Sequence, residues 1–256
     1  MDVAAYLTRI GYSGSLAPTA ATLRAIHRAH MYTVPFENLD IYGGRRRLTI
    51  DLDAFFQKVV GERRGGFCYE LNGLFGALLR ELGFHVEYLS GRVVSGAKAG
   101  PEFDHLLLLV TLEERWIADV GFGDSSRIPV RLDDPAPQGE PSGGYRLSHD
   151  GDGWSTWGLG ANGKWAELYR FSLAPHALVE FAGMCLWHQT APESPFMRNT
   201  LCTLPTEGGR ITVSGNRLTI AEGGKRTIHR LPDEASRDAA LWEHFGVRLQ
   251  PVSPPA

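Results

Sequence analysis

Apolar residues recur at helical spacing in the first third of the chain and at strand spacing beyond it. Leu23, Ile26, His27 and His30 share one helical face, and Thr19 is suited to cap that segment. Asp51 can cap a second segment containing Phe55, Phe56 and Val59. The clearest helix carries Leu71, Leu74, Phe75, Leu78, Leu79 and Leu82, and Gly83 ends it. Between the first two helices, Pro35 predicts a loop through Val34-Pro35-Phe36-Glu37-Asn38-Leu39, because proline has no N–H to donate. From Phe84 the period shortens, and strands are predicted at Val86–Leu89, Phe103–Leu112 and Arg115–Phe122. Glycine and proline thicken through Asp133–Gly163, as loops and short antiparallel strands require. A hairpin is predicted for Ile211–Val213 with Leu218–Ile220, around Ser214-Gly215-Asn216, and a last helix near Ala235–Phe245.

Helices, then strands, then a mixture of both predict an α+β chain of three subdomains, at 1–83, 84–190 and 191–256, with no internal repeat. With 256 residues, 43% of them hydrophobic, the chain has ample material for a core. Its 26 basic residues nearly balance 29 acidic ones, so no field steers it onto nucleic acid or an anionic membrane. Arg45-Arg46-Arg47 and Arg63-Arg64 are expected as solvated surface. The longest apolar run, Leu106–Val110, is too short to cross a bilayer. The first residues lack the basic start and apolar core of a secretory leader, and three distant cysteines are expected as free thiols in a reducing cytoplasm. Nine histidines show no ligand spacing with cysteine or acid, so no metal is expected, and neither phosphate-cradling glycine motif is present. Nothing in the pattern bears on oligomeric state.

The stretch Arg64-Gly65-Gly66-Phe67-Cys68-Tyr69-Glu70 runs straight into the clearest helix. Unpaired N–H groups and the positive dipole end there favour an anion, so Cys68 is expected to have a lowered pKa, with Arg64 adding to the effect if it points inward. The bland alternative is a small buried hydrophobe, to which Cys185 and Cys202 are assigned. A thiolate nucleophile needs an imidazole held in one tautomer by a third group. His105 and Asp119 are the candidates, each a polar residue within an apolar strand. Side-chain parity limits their pairing. A two-residue turn at Glu113-Glu114 would put them on opposite faces of a hairpin, so they converge only across an odd-length loop or a bulge. A three-residue loop pairing Leu109 with Asp119 is one such solution.

Taken in order, Arg64–Glu70, His105 in its leucine-rich strand and Asp119-Val120-Gly121-Phe122-Gly123 resemble the arylamine N-acetyltransferases, as does Val34–Leu39 upstream. The resemblance implies a helical bundle, an antiparallel β-barrel and an α/β lid around a cysteine-protease-like core. It implies ping-pong transfer from acetyl-coenzyme A, through a Cys68 thioester, to an arylamine or arylhydrazine, with His105 as base and Asp119 fixing its tautomer. By the same analogy Phe36, Phe122 and Phe196 line the acceptor pocket, and the Asp119–Pro129 stretch, with Gly121 and Gly123, lies along the coenzyme A arm. Thr190, Pro192, Ser194 and Phe196 match a further family pattern, whereas Cys185 and Trp187 stand where it has Asn and Tyr. Asp104 stands where a small or hydroxyl residue is expected. A macrolactam-forming amide synthase of the same fold shares these motifs, and a Cys-His-Asp hydrolase or transglutaminase-like enzyme shares their order.

Overall fold

The computed structural model describes residues 1–42, 44–138, 144–151, 153–160 and 162–249. The final residues of the segment expected as a lid lie outside this set, as do positions 139–143, 152 and 161 of the glycine- and proline-rich stretch.

Side-chain caps at Thr19 and Asp51 start two helices where the sequence predicts, and a helix capped by Asp2, which it does not predict, precedes them. Helix α1 (Val3–Arg9) is followed by α2 (Ala20–Thr33), where the Thr19 hydroxyl accepts the Thr22 N–H at 3.2 Å. A two-residue strand, β1 (Phe36–Glu37), occupies the segment expected as loop. Pro35 is tolerated because it precedes the strand, and β1 lies at a sheet edge. Asp51 caps α3 (Leu52–Phe56), which continues as a π-helical turn over Gln57–Gly61. Helix α4 (Cys68–Glu81) buries 11 of its 14 residues, which makes it a central helix, enclosed nearly all round.

A mostly closed antiparallel sheet packs against α4. Its strands are β2 (His85–Ser95), β3 (Lys98–Ala99), β4 (His105–Thr111), β5 (Arg115–Ala118), β6 (Val130–Arg131), β7 (Tyr145–Asp150), β8 (Gly153–Leu159) and β9 (Trp165–His176). They run in the order β6-β5-β4-β2-β9-β8-β7, with β3 on β2. Gln138 draws the two edges together. Its backbone exchanges hydrogen bonds with Tyr145, and its side-chain amide pairs with the Arg131 backbone at 2.7 and 2.8 Å. Strand β4 is buried on both faces, which explains its unbroken apolar run. Leu106, Leu108 and Val110 meet the helical core, while Leu107 and Leu109 meet Leu89 and Ile117 inside the barrel.

A 3₁₀ turn (Leu178–Phe181), α5 (Ala182–Thr190) and α6 (Pro195–Arg198) lead to a second sheet. It contains β10 (Leu201–Thr206), β11 (Gly209–Ser214), β12 (Arg217–Glu222) and β13 (Lys225–Arg230), and β1 completes its far edge beside β10. Helix α7 (Glu234–Phe245) covers this sheet, with Leu241 and Phe245 packed among Val213 and Leu218. The chain is therefore α+β, and β1 ties the helical N-terminal part to the last sheet. Among the described residues no helix is long and apolar enough to span a membrane, and no group of three or more His, Cys, Asp or Glu is placed to hold a metal ion.

Candidate active site

Cys68 is the first residue of α4. The preceding N–H, of Phe67, is accepted by Glu70 at 3.1 Å, and Glu70 is held by Lys58 at 2.9 Å. Lys58 also meets Asp40 at 3.0 Å, and Arg64 meets Glu37 at 2.7 Å and Asp40 at 3.2 Å. Arg64 thus corrects two expectations. It is buried rather than solvated, and its charge is committed to carboxylates rather than to the Cys68 thiol. Burial alone would lower the Lys58 pKa, but Glu37, Glu70 and Asp40 outweigh it and hold the ammonium charged. Gly65 makes the arrangement possible, since a Cβ there would lie 2.0 Å from the Pro35 carbonyl oxygen.

His105 and Asp119 meet across the β4–β5 hairpin. Thr111 pairs with Arg115, so the loop is the three residues Leu112-Glu113-Glu114, an odd number as parity demands. The register differs from the example above. Leu109 faces Ile117, and β5 ends at Ala118 instead of running to Phe122. The ladder stops because the next residues turn to α4, where the Val120 N–H donates to Asn72 Oδ1 at 2.9 Å. His105 Nε2 lies 2.9 Å from Asp119 Oδ2. Asp119 accepts three further bonds, from Tyr169 Oη at 3.0 Å, Asn72 Nδ2 at 2.8 Å and the Gly121 N–H at 2.9 Å. Burial pushes its carboxyl pKa up, but His105, Asn72 and Gly121 overcome this and hold it below its ordinary value. An ionised carboxylate only accepts, so Nε2 of His105 carries the proton and Nδ1 keeps its lone pair.

Three partners of Asp119 went unread in the sequence. Asn72 follows Cys68 by four residues, one helical turn on, and also donates to the Leu106 carbonyl at 2.6 Å. A polar residue beside the apolar stripe of the clearest helix was the available signal. Tyr169 sits on β9, and its phenol is held protonated by burial and by the Asp119 charge, so it donates. His27, which the sequence shows only as part of an apolar helical face, accepts the Asp119 N–H at 3.3 Å. Burial lowers the His27 pKa to about 4, so this imidazole is neutral.

A cavity of about 230 Å³ brings most of the expected residues together. Cys68, His105, Phe36, Phe122, Phe196 and Gly121 all line it. An enclosed apolar cavity of roughly 150 Å³ holds a benzene ring, so this one accommodates a single substituted ring. Phe36 and Phe196 stand with ring centroids 6.1 Å apart, and Phe122 meets His105 edge-on at 5.3 Å. Gly121 passes so close to the helix that a Cβ would lie 2.8 Å from Cys68 Cα. Gly123 is not in the wall. It lies beside the Phe36 ring, and its carbonyl accepts from Arg210. Asp119 sits behind His105, facing the barrel interior with Tyr169 and His27.

The expected lowering of the Cys68 pKa is not found. Burial pushes the thiol well above its ordinary value, and the Leu106 N–H offsets this only in part. A position at a helix start is therefore not by itself a sign of a lowered thiol pKa. Cys185 and Cys202 are buried free thiols, as expected, and burial raises the Cys185 pKa to about 12.

Residues 19–253 match the protein family described as N-acetyltransferase. The chain is 41% identical to the arylamine N-acetyltransferase of Escherichia coli K12, over 94% of this chain and 87% of that one. It belongs to the arylamine N-acetyltransferase family. The family's enzymes are acyltransferases, and this chain is one of them. The Mycolicibacterium smegmatis relative is 36% identical over 97% of this chain and 93% of its own length. The structure of the Salmonella typhimurium enzyme superposes with a TM-score of 0.90 at 35% identity, over 96% of this chain and 90% of that one. The Mycobacterium marinum enzyme, solved in complex with CoA, superposes at 0.89 and 33% identity, over 96% and 92% of the two chains.

Proposed function

We propose that this arylamine N-acetyltransferase works by ping-pong acetyl transfer from acetyl-coenzyme A through a thioester on Cys68 to the nitrogen of an arylamine or arylhydrazine. The observation that carries the reading is the line from the cavity inward. Cys68 and His105 share the cavity wall, and His105 Nε2 is bonded to an Asp119 that accepts three other hydrogen bonds. Nδ1 of His105 is then the nitrogen left to take the thiol proton as sulfur attacks the thioester carbonyl carbon. The imidazolium returns that proton to the departing coenzyme A sulfur, leaving an acetyl group on Cys68. An arylamine attacks the acetyl carbon, gives its proton to His105, and Cys68 leaves as the thiolate that His105 reprotonates.

Energetics favour this division of labour. Burial disfavours a thiolate at Cys68 that has no positive partner, so handing its proton to His105, which leaves an imidazolium beside the sulfur, is the route to the nucleophile. One thioester replaces another in the first half, so little driving force is lost. Arylamines are weak bases, so the second half has its neutral nucleophile at pH 7, and base assistance contributes about 10²–10⁴-fold. The aromatic walls at Phe36, Phe122 and Phe196 suit a flat acceptor. The M. marinum complex supports coenzyme A as the donor's carrier, with Gly121 and Gly123 on the arm that would follow it. The reading includes a reducing cytoplasm, consistent with three free cysteines.

Initial rates with both substrates varied test it. Ping-pong transfer gives parallel double-reciprocal lines and coenzyme A release without acceptor limited to one equivalent. Intersecting lines would overturn the covalent route, and steady hydrolysis without acceptor would favour a hydrolase.

A further inference from the structure

The cavity wall holds a second aspartate–histidine contact that the chemistry does not use. Asp104 and His188 both line it, with Asp104 Oδ1 3.2 Å from His188 Nε2. Adjacent residues of a regular strand point to opposite faces, yet Asp104 and His105 face the same cavity. The backbone shows how. Phe103 has φ of +63°, a costly conformation for an aromatic residue. It is pinned by Tyr69 Oη donating to its carbonyl at 2.6 Å and by its own N–H donating to Ser90 Oγ at 2.7 Å. The turn at Phe103 takes Asp104 out of the β4 alternation, which begins only at His105.

The two carboxylates of the site differ in how completely they are satisfied. Asp119 is fully enclosed and accepts four hydrogen bonds of 2.8–3.0 Å. Asp104 remains 14% exposed, and its carboxylate accepts the Val93 N–H at a long 3.3 Å, while the hydrogen bond of His188 Nε2 goes to the Asp104 main-chain carbonyl, also at 3.3 Å. The two carboxylate oxygens of Asp104 offer about four lone-pair sites, so acceptor capacity is left over. Among the described residues it is the one carboxylate in a wall otherwise dominated by Phe36, Phe122, Phe196, Pro195 and Leu201. In such surroundings a charge acts over several ångströms with little screening.

We propose that Asp104, steadied by His188, selects among acceptors: it favours ring substituents that donate a hydrogen bond or carry positive charge, and it disfavours ring carboxylates. The proposal rests on the acetyl-transfer reading above and names the substrate class of the same cavity.

The test compares 4-aminobenzamide with 4-aminobenzoate, which match in shape and differ in charge and N–H donors. The ratio of their kcat/KM values cancels the amount of folded enzyme. Differences in intrinsic reactivity cancel between wild type and variant. Asp104→Asn and Asp104→Ser are each expected to shrink the preference for the amide about tenfold, equivalent to about 1.4 kcal/mol. Asp104→Glu is expected to retain most of it. An unchanged ratio in both uncharged variants, in an enzyme whose wild type takes up acetyl from acetyl-coenzyme A, overturns the selector alone. A wild type that takes up no acetyl overturns the selector together with the reading beneath it.

Discussion

Two buried polar clusters flank the start of α4, and they differ in what remains unspent. Below the helix, Lys58 and Arg64 meet Glu37, Asp40 and Glu70, and none of the five side chains is more than 3% exposed. Above it, Cys68, His105 and Asp119 are almost as deeply buried, at 3%, 2% and 5%. Burial and charge therefore do not distinguish a site from a buttress. The lower cluster sets two cations against three carboxylates, and none of the five lines the cavity that Cys68 and His105 share. In the upper one, sulfur and imidazole both line a space large enough for an aromatic ring. Reactivity lies in the groups with a free lone pair and a place for a partner to stand.

Variants that convert one cluster's behaviour into the other's would break this distinction. The largest expected effect is from Asp119→Asn. The amide cannot hold the His105 tautomer, so turnover should fall about 10³–10⁴-fold. Thermal melting should stay within a few degrees of wild type. A small kinetic loss would move Asp119 into the buttress class. Lys58→Met should do the opposite. It strands buried carboxylates and should cost about 3–5 kcal/mol of stability, lowering Tm by roughly 10 °C. Turnover per folded molecule, from active-site titration, should change less than about tenfold.

Asn72→Ala is intermediate, because Asn72 bonds Asp119, Leu106 and Val120 yet does not line the cavity. A misplacement of the reacting groups should cost about 10²-fold in kcat, with KM for the acceptor changed little. The smallest effect is a pH slope from His27. Its folded pKa, about 4, lies below the ordinary histidine value, so the unfolded chain binds the extra proton between roughly pH 6.5 and 4. Stability from this group is complete above that window and falls as pH drops through it, by at most about 1.4 kcal/mol per pH unit. Denaturant titrations of wild type and His27→Gln across pH 4–7 check it, the variant being expected to show the shallower dependence.

Much of this arrangement is legible in the sequence because local rules produce it. Thr19 and Asp51 cap the helices they were expected to cap, and the β4–β5 loop is odd, as convergence of His105 and Asp119 requires. The misreadings share a non-local cause. Phe36-Glu37 forms a strand only because β10, some 165 residues later, supplies its partner. Arg64 is buried because Glu37 and Asp40 neutralise it from another segment. Cys68 does start α4, as expected, but burial by the rest of the fold, which no local rule reveals, pushes its thiol up rather than down. Tyr169 and His27 reach Asp119 from 50 and 92 residues away, beyond any spacing rule.

The measurement closest to the central claim is intact mass after mixing the protein with acetyl-coenzyme A. One acetyl group should appear on Cys68, remain until an arylamine or arylhydrazine discharges it, and never form on Cys68→Ala. An adduct that persists in Cys68→Ala, or a wild-type protein that stays unmodified while transferring acetyl, would contradict the account.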